Sequence, residues 1–374
     1  MMAKLDSICK MKMGQSPDSS SYNENGKGIP FFQGNADFGA IHPTVRVWCD
    51  APTKIAYEGD ILISVRAPIG ALNIANIECC IGRGLAALTV DESVCDKRYL
   101  WYGIASKVDE LNSKGTGSTF KAISKNVLAE TEIPLPTIDI QKQIALKLDT
   151  VCSLISLRKQ QLSKLDELVK SRFIELFGSQ CHNEKNYPYG KIDDVAEIYL
   201  GLTHTPEYIE TGVKFISAKN TSCDYLDLSD VKYISKEEYA SAPAGAKPRK
   251  GDVLFSRVGS NLGHPVILDI DEELCTFVSL GYLRTKGRVT NLYLKHWMRD
   301  DFFAEQVRRK VVGGGQPNLN TGWLKEFRII IPPMDLQEQF AAFVEQTDKS
   351  KLAIQKSLEK LETLKKSLMQ KYFG

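Results

Sequence analysis

The sequence predicts an α+β chain. Two mixed, β-rich domains are separated by two long helices that pair antiparallel in coiled-coil fashion, and the two halves form a pseudo-two-fold internal repeat. Three observations predict it. The first is an unbroken echo. Asp139-Ile140-Gln141-Lys142-Gln143 returns as Asp335-Leu336-Gln337-Glu338-Gln339, an offset of 335 − 139 = 196. At the same offset Lys164-Leu165-Asp166-Glu167-Leu168 returns as Lys360-Leu361-Glu362-Thr363-Leu364, and Phe177-Gly178 as Phe373-Gly374. A segment of fixed length made twice serves geometry. The second is slippage upstream. Lys4-Leu5-Asp6-Ser7-Ile8 resembles Lys191-Ile192-Asp193-Asp194-Val195, and Gly59-Asp60-Ile61-Leu62-Ile63-Ser64 resembles Gly251-Asp252-Val253-Leu254-Phe255-Ser256. Their offsets are 191 − 4 = 187 and 251 − 59 = 192, so each half opens with a variable domain. The third is the rhythm of the echoed segments, described below.

The variable parts read as strands and turns. Asp60–Val65 and Asp252–Ser256 are short apolar runs after a glycine, and Val266–Leu268 and Phe327–Ile331 are further strands. Helical spacing of Leu, Trp, Tyr and Phe marks Asp96–Asn112 and Leu292–Lys310. Pro134 and Pro136 close the last strand of the first half, as Pro332 and Pro333 close that of the second. A helix follows each pair, with Asp139 and Asp335 as expected N-caps.

Apolar residues then follow a 4,3 rhythm. In the first copy they are Ile144, Leu148, Val151, Ile155, Leu162, Leu165 and Val169. In the second they are Phe340, Val344, Thr347, Ile354, Leu358, Leu361, Leu368 and Tyr372. The missing steps fall on Arg158, Lys351 and Lys365, whose aliphatic stems can line a seam. Gly178 and Gly374 are stop signals. Such a rhythm argues for paired rods of roughly 55 Å; two independent helices, each on its own domain, are the simpler alternative. The expected order is domain 1–138, helix 139–178, domain 179–334 and helix 335–374. The short polar linker Ser179–Gly190 favours an antiparallel pair, since a parallel one would need the second domain to span the rod.

Composition excludes several classes. An apolar share of 43% and a charged share of 25% are those of an ordinary globular protein. No apolar run approaches the roughly 18 residues of a membrane helix. The start, Met1-Met2-Ala3-Lys4-Leu5-Asp6, is not that of a secretory signal, so a cytoplasmic location is expected. The nine cysteines, Cys9, Cys49, Cys79, Cys80, Cys95, Cys152, Cys181, Cys223 and Cys275, form no Cys-x-x-Cys pair and read as small apolar fillers. His42, His182, His204, His264 and His296 are scattered, and no metal site is expected. A net charge of +2 is too weak to announce nucleic acid. There is no P-loop and no Asn-Pro-Pro-aromatic motif for amino-methyl transfer; the glycine runs at 115–117 and 313–315 lack a Lys-Ser/Thr ending.

Two similar readers, inverted and held apart, suit duplex DNA, which repeats about every 34 Å. The residues also resemble a known family. Gly115-Thr116-Gly117-Ser118-Thr119-Phe120, then Ile133-Pro134-Leu135-Pro136, then Asp139-Ile140-Gln141-Lys142-Gln143-Ile144 looks like a target recognition domain running into its conserved helix. The second copy has Gly313-Gly314-Gly315-Gln316-Pro317-Asn318-Leu319-Asn320, then Ile331-Pro332-Pro333. The family is the specificity subunit of type I restriction-modification systems, and the resemblance covers essentially the whole chain. It implies a non-catalytic subunit in which each recognition domain reads one half of an asymmetric bipartite site on double-stranded DNA. The helices would fix the spacer and dock two methyltransferase (modification) subunits, with restriction/translocase subunits joining the full complex. S-adenosylmethionine and ATP would be bound by those partners and not by this chain. The competing reading is a tandem-repeat coiled-coil adaptor that binds proteins only.

Base readout uses Arg or Lys for guanine, Asn or Gln for adenine, and Ser or Thr as adaptable partners. The first domain offers Gln15, Ser16, Gln33, Asn35, Arg66, Arg83, Lys114, Ser118, Thr119 and Lys121. The second offers Thr203, Thr205, Lys219, Asn220, Arg257, Asn261, Arg284, Gln316, Asn318 and Asn320. Arg66 and Arg257 stand out, because each follows a strand directly. Arg299, Arg308, Arg309 and Lys310 form the densest basic cluster, either a phosphate-facing stripe or a solvated helix face.

Overall fold

A sheet with apolar residues on both faces sits at the centre of each half of the molecule. The structure, a computed structural model, describes residues 1–117, 121–259, 261–310 and 318–374. Contacts divide it into two compact units, Met1–Gln160 with Gln355–Gly374, and Gln161–Ile354. The long helices Ile138–Phe177 and Met334–Phe373, each 40 residues, therefore contribute to both units. At 1.5 Å per residue each measures about 60 Å. Among the described residues no helix is long and apolar enough to cross a membrane.

In the first unit a four-stranded antiparallel sheet runs in the order Cys9–Met13, Leu85–Val90, Ile61–Ser64, Leu72–Ile74. Side chains alternate across it. Ile61, Ile63, Ala86 and Leu88 face a core shared with the helix Lys97–Ser106 and the long helices. Leu62, Leu85 and Ala87 face a second core with Phe32 and Ile81. Those last two belong to a five-stranded mixed sheet, in which Ile29–Phe32 pairs parallel with Cys79–Ile81. A sheet covered on both faces has continuous apolar strands.

The second unit repeats this wiring. Its four-stranded sheet runs Ala196–Leu200, Leu280–Thr285, Val253–Ser256, Pro265–Ile267. Val253, Phe255 and Leu283 face the helical side, while Leu254, Leu280 and Tyr282 face the other. A three-stranded sheet again holds a parallel pair, Val213–Ile216 with Leu274–Thr276. The Gly-Asp motif has the same task in both units. Gly59 and Gly251 adopt φ of +88° and +94°. The following Asp60 and Asp252 are buried, and each accepts a hydrogen bond from a turn N–H, of Tyr57 at 2.9 Å and of Arg249 at 2.7 Å.

The helical stretches expected at 96–112 and 292–310 are each broken once, giving Lys97–Ser106 with Val108–Ser113, and Asn291–Trp297 with Asp301–Lys310. The long helices begin one residue before the expected caps. Asp139 and Asp335 thus lie inside the first turn, where a carboxylate still meets the positive end of the helix. The reason is the next glutamine. Gln141 is fully buried; its Oε1 accepts from Asp96 N at 2.8 Å, and its Nε2 donates to Val94 O at 3.1 Å and Pro136 O at 2.8 Å. Gln337 does the same for Thr290 N at 2.7 Å, Arg288 O at 3.3 Å and Pro332 O at 2.9 Å. Each helix ends with the glycine N–H bonded back to the fourth residue before it, Gly178 to Ile174 O and Gly374 to Gln370 O.

Within each unit the two helix segments run antiparallel. In the first, Lys159 pairs with Glu362 at 3.0 Å, while Ile144 and Leu148 share a core with Leu368, Tyr372 and Phe373. In the second, Asp166 pairs with Lys351 at 2.5 Å, and Phe173 meets Phe340 at 5.4 Å between ring centroids. Of the predicted seam, Ile144, Leu148, Val151, Val169, Phe340, Val344, Thr347 and Leu358 are buried. Ile155, Leu162, Leu165, Ile354, Leu361, Leu368 and Tyr372 are half-covered, as are Arg158, Lys351 and Lys365. The cysteine reading needs correction at three places: Cys181 and Cys223 are exposed in loops, and Cys152 is only partly covered. Burial pushes the thiols of Cys9, Cys79 and Cys95 up to about 12.

His296 packs between Phe173 and Phe340, at 6.0 and 5.0 Å. Burial, then Arg299, Lys295 and Lys351, push its imidazole down to about 3. The ordinary value near 6.5 belongs to the unfolded chain. Its contribution is therefore intact above about pH 6.5 and is lost as pH falls toward 3. In His296→Gln the unfolding free energy measured between about pH 4 and 7 should fall less with acid than in the parent; parallel curves would contradict this. Gln141→Met keeps the volume but strands three polar groups, and should lower stability by about 2–4 kcal/mol in urea unfolding. The exposed neighbour Gln143→Met should stay within about 0.5 kcal/mol.

Candidate nucleic-acid interface

Five loops of the first unit are stitched together by main-chain hydrogen bonds. Gln15 N donates to Ile81 O at 3.0 Å, and Gly82 N to Phe32 O at 2.8 Å. Val65 N donates to Gly84 O, and Ile123 N to Val65 O, both at 2.9 Å; Ala67 N reaches Lys121 O at 3.0 Å. Arg83 N donates to Ser16 Oγ at 3.3 Å. Close approach holds the centre: a Cβ on Gly84 would lie 2.4 Å from Gln33 O, and one on Gly14 would lie 2.2 Å from Gly82 O. Gln15, Ser16, Gln33, Asn35, Arg66, Arg83 and Lys121 thus come together on one rigid rim. The carboxylate beside it, Asp37, accepts from Gln33 N at 2.7 Å and is paired with Arg46.

The second unit is stitched in the same way. Phe277 N donates to Ile216 O at 2.8 Å, Arg257 N to Ser279 O at 2.9 Å, and Leu319 N to Arg257 O at 2.9 Å. A Cβ on Gly201 would lie 2.2 Å from Thr276 O. The matching bonds equate Phe32 with Ile216, Val65 with Arg257, Gly82 with Phe277, Gly84 with Ser279 and Ile123 with Leu319. Thr203, Lys219 and Asn318 lie on this rim.

These equivalences separate the two arginines that stand out in the sequence. Arg257 does not correspond to Arg66; it occupies the inward place of Val65. Its guanidinium donates to Leu319 O at 3.2 Å, Val278 O at 2.9 Å and Asn318 Oδ1 at 3.5 Å, and burial lowers its pKa. Most of the other candidates also have partners within the fold. Arg284 grips the buried Asp252 with two bonds of 2.9 and 2.7 Å and lies over Tyr199 and Tyr282. Asn220 is buried and donates to Asp227 O at 2.9 Å. Asn320 caps a short helix by accepting from Gly322 N at 2.7 Å. Lys114 pairs with Glu110 at 2.6 Å and Lys219 with Asp230 at 2.8 Å. Asn261 donates to Ser222 O at 3.4 Å. Thr205 is exposed. Ser118, Thr119 and Gln316 lie outside the described residues. The basic cluster is locally neutralised: Arg308 and Arg309 both pair with Glu305, and Arg299 with Asp224.

Two rim residues carried no sequence signal. Exposed Thr53 donates to Gln15 O at 2.7 Å, and Ile81 N bonds to Lys54 O at 2.8 Å. Only contacts distant in sequence place them here. Among the described residues no group of three His, Cys, Asp or Glu side chains is placed to hold a metal ion.

Comparison with known proteins gives a consistent picture. A family model described as the type I restriction modification DNA specificity domain matches residues 1–167 and again residues 183–366. A putative type I restriction enzyme MjaX specificity subunit of Methanocaldococcus jannaschii is 41% identical over 161 residues, which cover 43% of this chain and 38% of that protein. The EcoBI specificity subunit of Escherichia coli is 20% identical, over 99% of this chain and 84% of its own length. A crystal structure of a type-I restriction-modification S subunit from M. genitalium aligns with a TM-score of 0.58 at 16% identity, covering 100% of this chain and 96% of that one. It shows the same fold.

The division of the arginines is open to measurement. Arg257→Ala strands two carbonyls and should lower stability by about 1–3 kcal/mol. Arg66→Ala and Arg83→Ala should each stay within about 0.5 kcal/mol. Equal losses in urea unfolding for Arg66→Ala and Arg257→Ala would refute it.

Proposed function

Because this chain belongs to the type I restriction modification DNA specificity domain family, we propose that it is the sequence-reading subunit of a type I restriction-modification complex. Each unit reads one half of a bipartite DNA site through its stitched loop rim. The observation that carries this reading is the first unit's rim, where free cations and amides stand on a backbone that cannot move far. Such a surface suits base edges and phosphates. It favours DNA over the adaptor reading, which gives no reason to leave arginines unpaired on one pre-organised face.

The partners follow from the same reading. Two methyltransferase subunits dock on the long helices, and restriction/translocase subunits complete the assembly. S-adenosylmethionine and ATP are bound by those partners, and this chain performs no chemistry itself. The complex works in the cytoplasm, where the DNA is. The two rims differ residue by residue, so the two half-sites differ as well. The helices, each continuous between the units, set the gap.

Methylation-sensitive sequencing of cells with and without this gene should show loss of one motif with two unlike halves around a fixed gap. The absence of any lost bipartite motif would overturn the proposal. Removing seven residues from both long helices in register shortens each by about 10 Å, or roughly three base pairs. The gap should contract accordingly or modification should cease; an unchanged gap would show that the helices are not the ruler.

A further inference from the structure

Many arginines of this protein are engaged by other groups. Arg46, Arg98, Arg172, Arg284, Arg299, Arg308 and Arg309 pair with carboxylates, and Arg257 with carbonyls. Arg66 and Arg83 are exposed, and among the described residues neither guanidinium has a hydrogen-bonding or ionic partner; the exposed Arg249 and Arg288 share that condition but are not on the stitched loops. Arg66 and Arg83 both stand on the first unit's rim, and their backbones are fixed. Arg66 O accepts from Ser64 Oγ at 2.8 Å, and Arg66 bridges to Ala122. Arg83 lies between Gly82 and Gly84, so it is the only side chain at its loop tip beyond Cβ.

We infer that Arg66 and Arg83 read guanine edges in the half-site of the first unit, and that this mode of readout is confined to that half-site. The inference rests on the DNA-reading function proposed above. A guanidinium is a planar fork that fits guanine O6 and N7 with two bonds, and it needs a fixed mount to discriminate. The side chains beside the two arginines support base readout over phosphate contact. Gln15 and Gln33 are exposed amides of the kind that meet adenine, while Lys54 and Lys121 supply the charge a backbone contact needs. Counting one residue along from the equated pairs Val65/Arg257 and Gly82/Phe277, Arg66 corresponds to Val258 and Arg83 to Val278. The second unit therefore carries valine at both places where the first carries a free guanidinium.

The test uses the intact complex, produced with its methyltransferase partners, and reads the modified motif by sequencing. Arg66→Lys and Arg83→Lys keep the charge but lose the fork. Each should relax one G·C position of a single half-site, with preference falling about ten- to a hundredfold, and leave the other half-site unchanged. Arg66→Ala and Arg83→Ala should relax the same positions with weaker modification overall. Lysine variants that keep the parent motif while alanine variants lose modification would assign both arginines to phosphates and overturn the inference. So would relaxation at A·T positions, or in both half-sites. If the parent complex marks no bipartite motif, the functional reading falls and this inference with it. If the parent marks one and the variants mark the same one, only this inference falls.

Discussion

One buried side chain in each half decides where a long helix starts and what it leans on. Gln141 and Gln337 are fully buried amides, each holding one N–H and two carbonyls. A buried amide must be satisfied at both ends. It therefore ties three pieces of chain into one geometry: the strand exit before the helix, the first helical turn, and the loop that starts the preceding short helix. The entry angle of the long helix follows, and with it the wall of apolar side chains closing each core. That explains why the echoed segment tolerates no insertion while the loops ahead of it do.

The rim is built on the opposite principle. Its shape is held by main-chain bonds and glycine contacts, which recur in both units although the residues differ. Main-chain bonds are indifferent to side chains, so the surface can change while the scaffold persists. The exchange of Val65 for Arg257 shows how far this goes. Where the first unit has an inward methyl-bearing side chain, the second has a guanidinium and gives it carbonyls to hold.

The long helices, the central strands and the Gly-Asp turns were legible in the sequence because their signals are local: a 4,3 rhythm, a short apolar run, a glycine before an aspartate. The rim was legible only as a list of polar loop residues. Asn220, Arg257 and Arg284 look like readers in one dimension, yet in the fold they are held by Asp227, Leu319 and Asp252, and for the two arginines those partners lie 62 and 32 residues away. Thr53 and Lys54 were missed for the same reason in reverse. Arg66 and Arg257 both follow a strand in sequence, yet the 192-residue offset and the hydrogen-bond register both pair Arg257 with Val65.

Each unit borrows part of its core from a helix that belongs, in sequence, to the other half. For the first unit the borrowed piece is residues 355–374, with the ring of Phe373 4.9 Å from that of Tyr99, centroid to centroid. The ribosome makes that piece only after all of residues 161–354. The first unit therefore emerges with an open apolar flank and stays unfinished until the second has been synthesised. Completion of one reader is thereby coupled to production of the other, and a chain interrupted late in translation carries a defective first unit as well as an incomplete second helix.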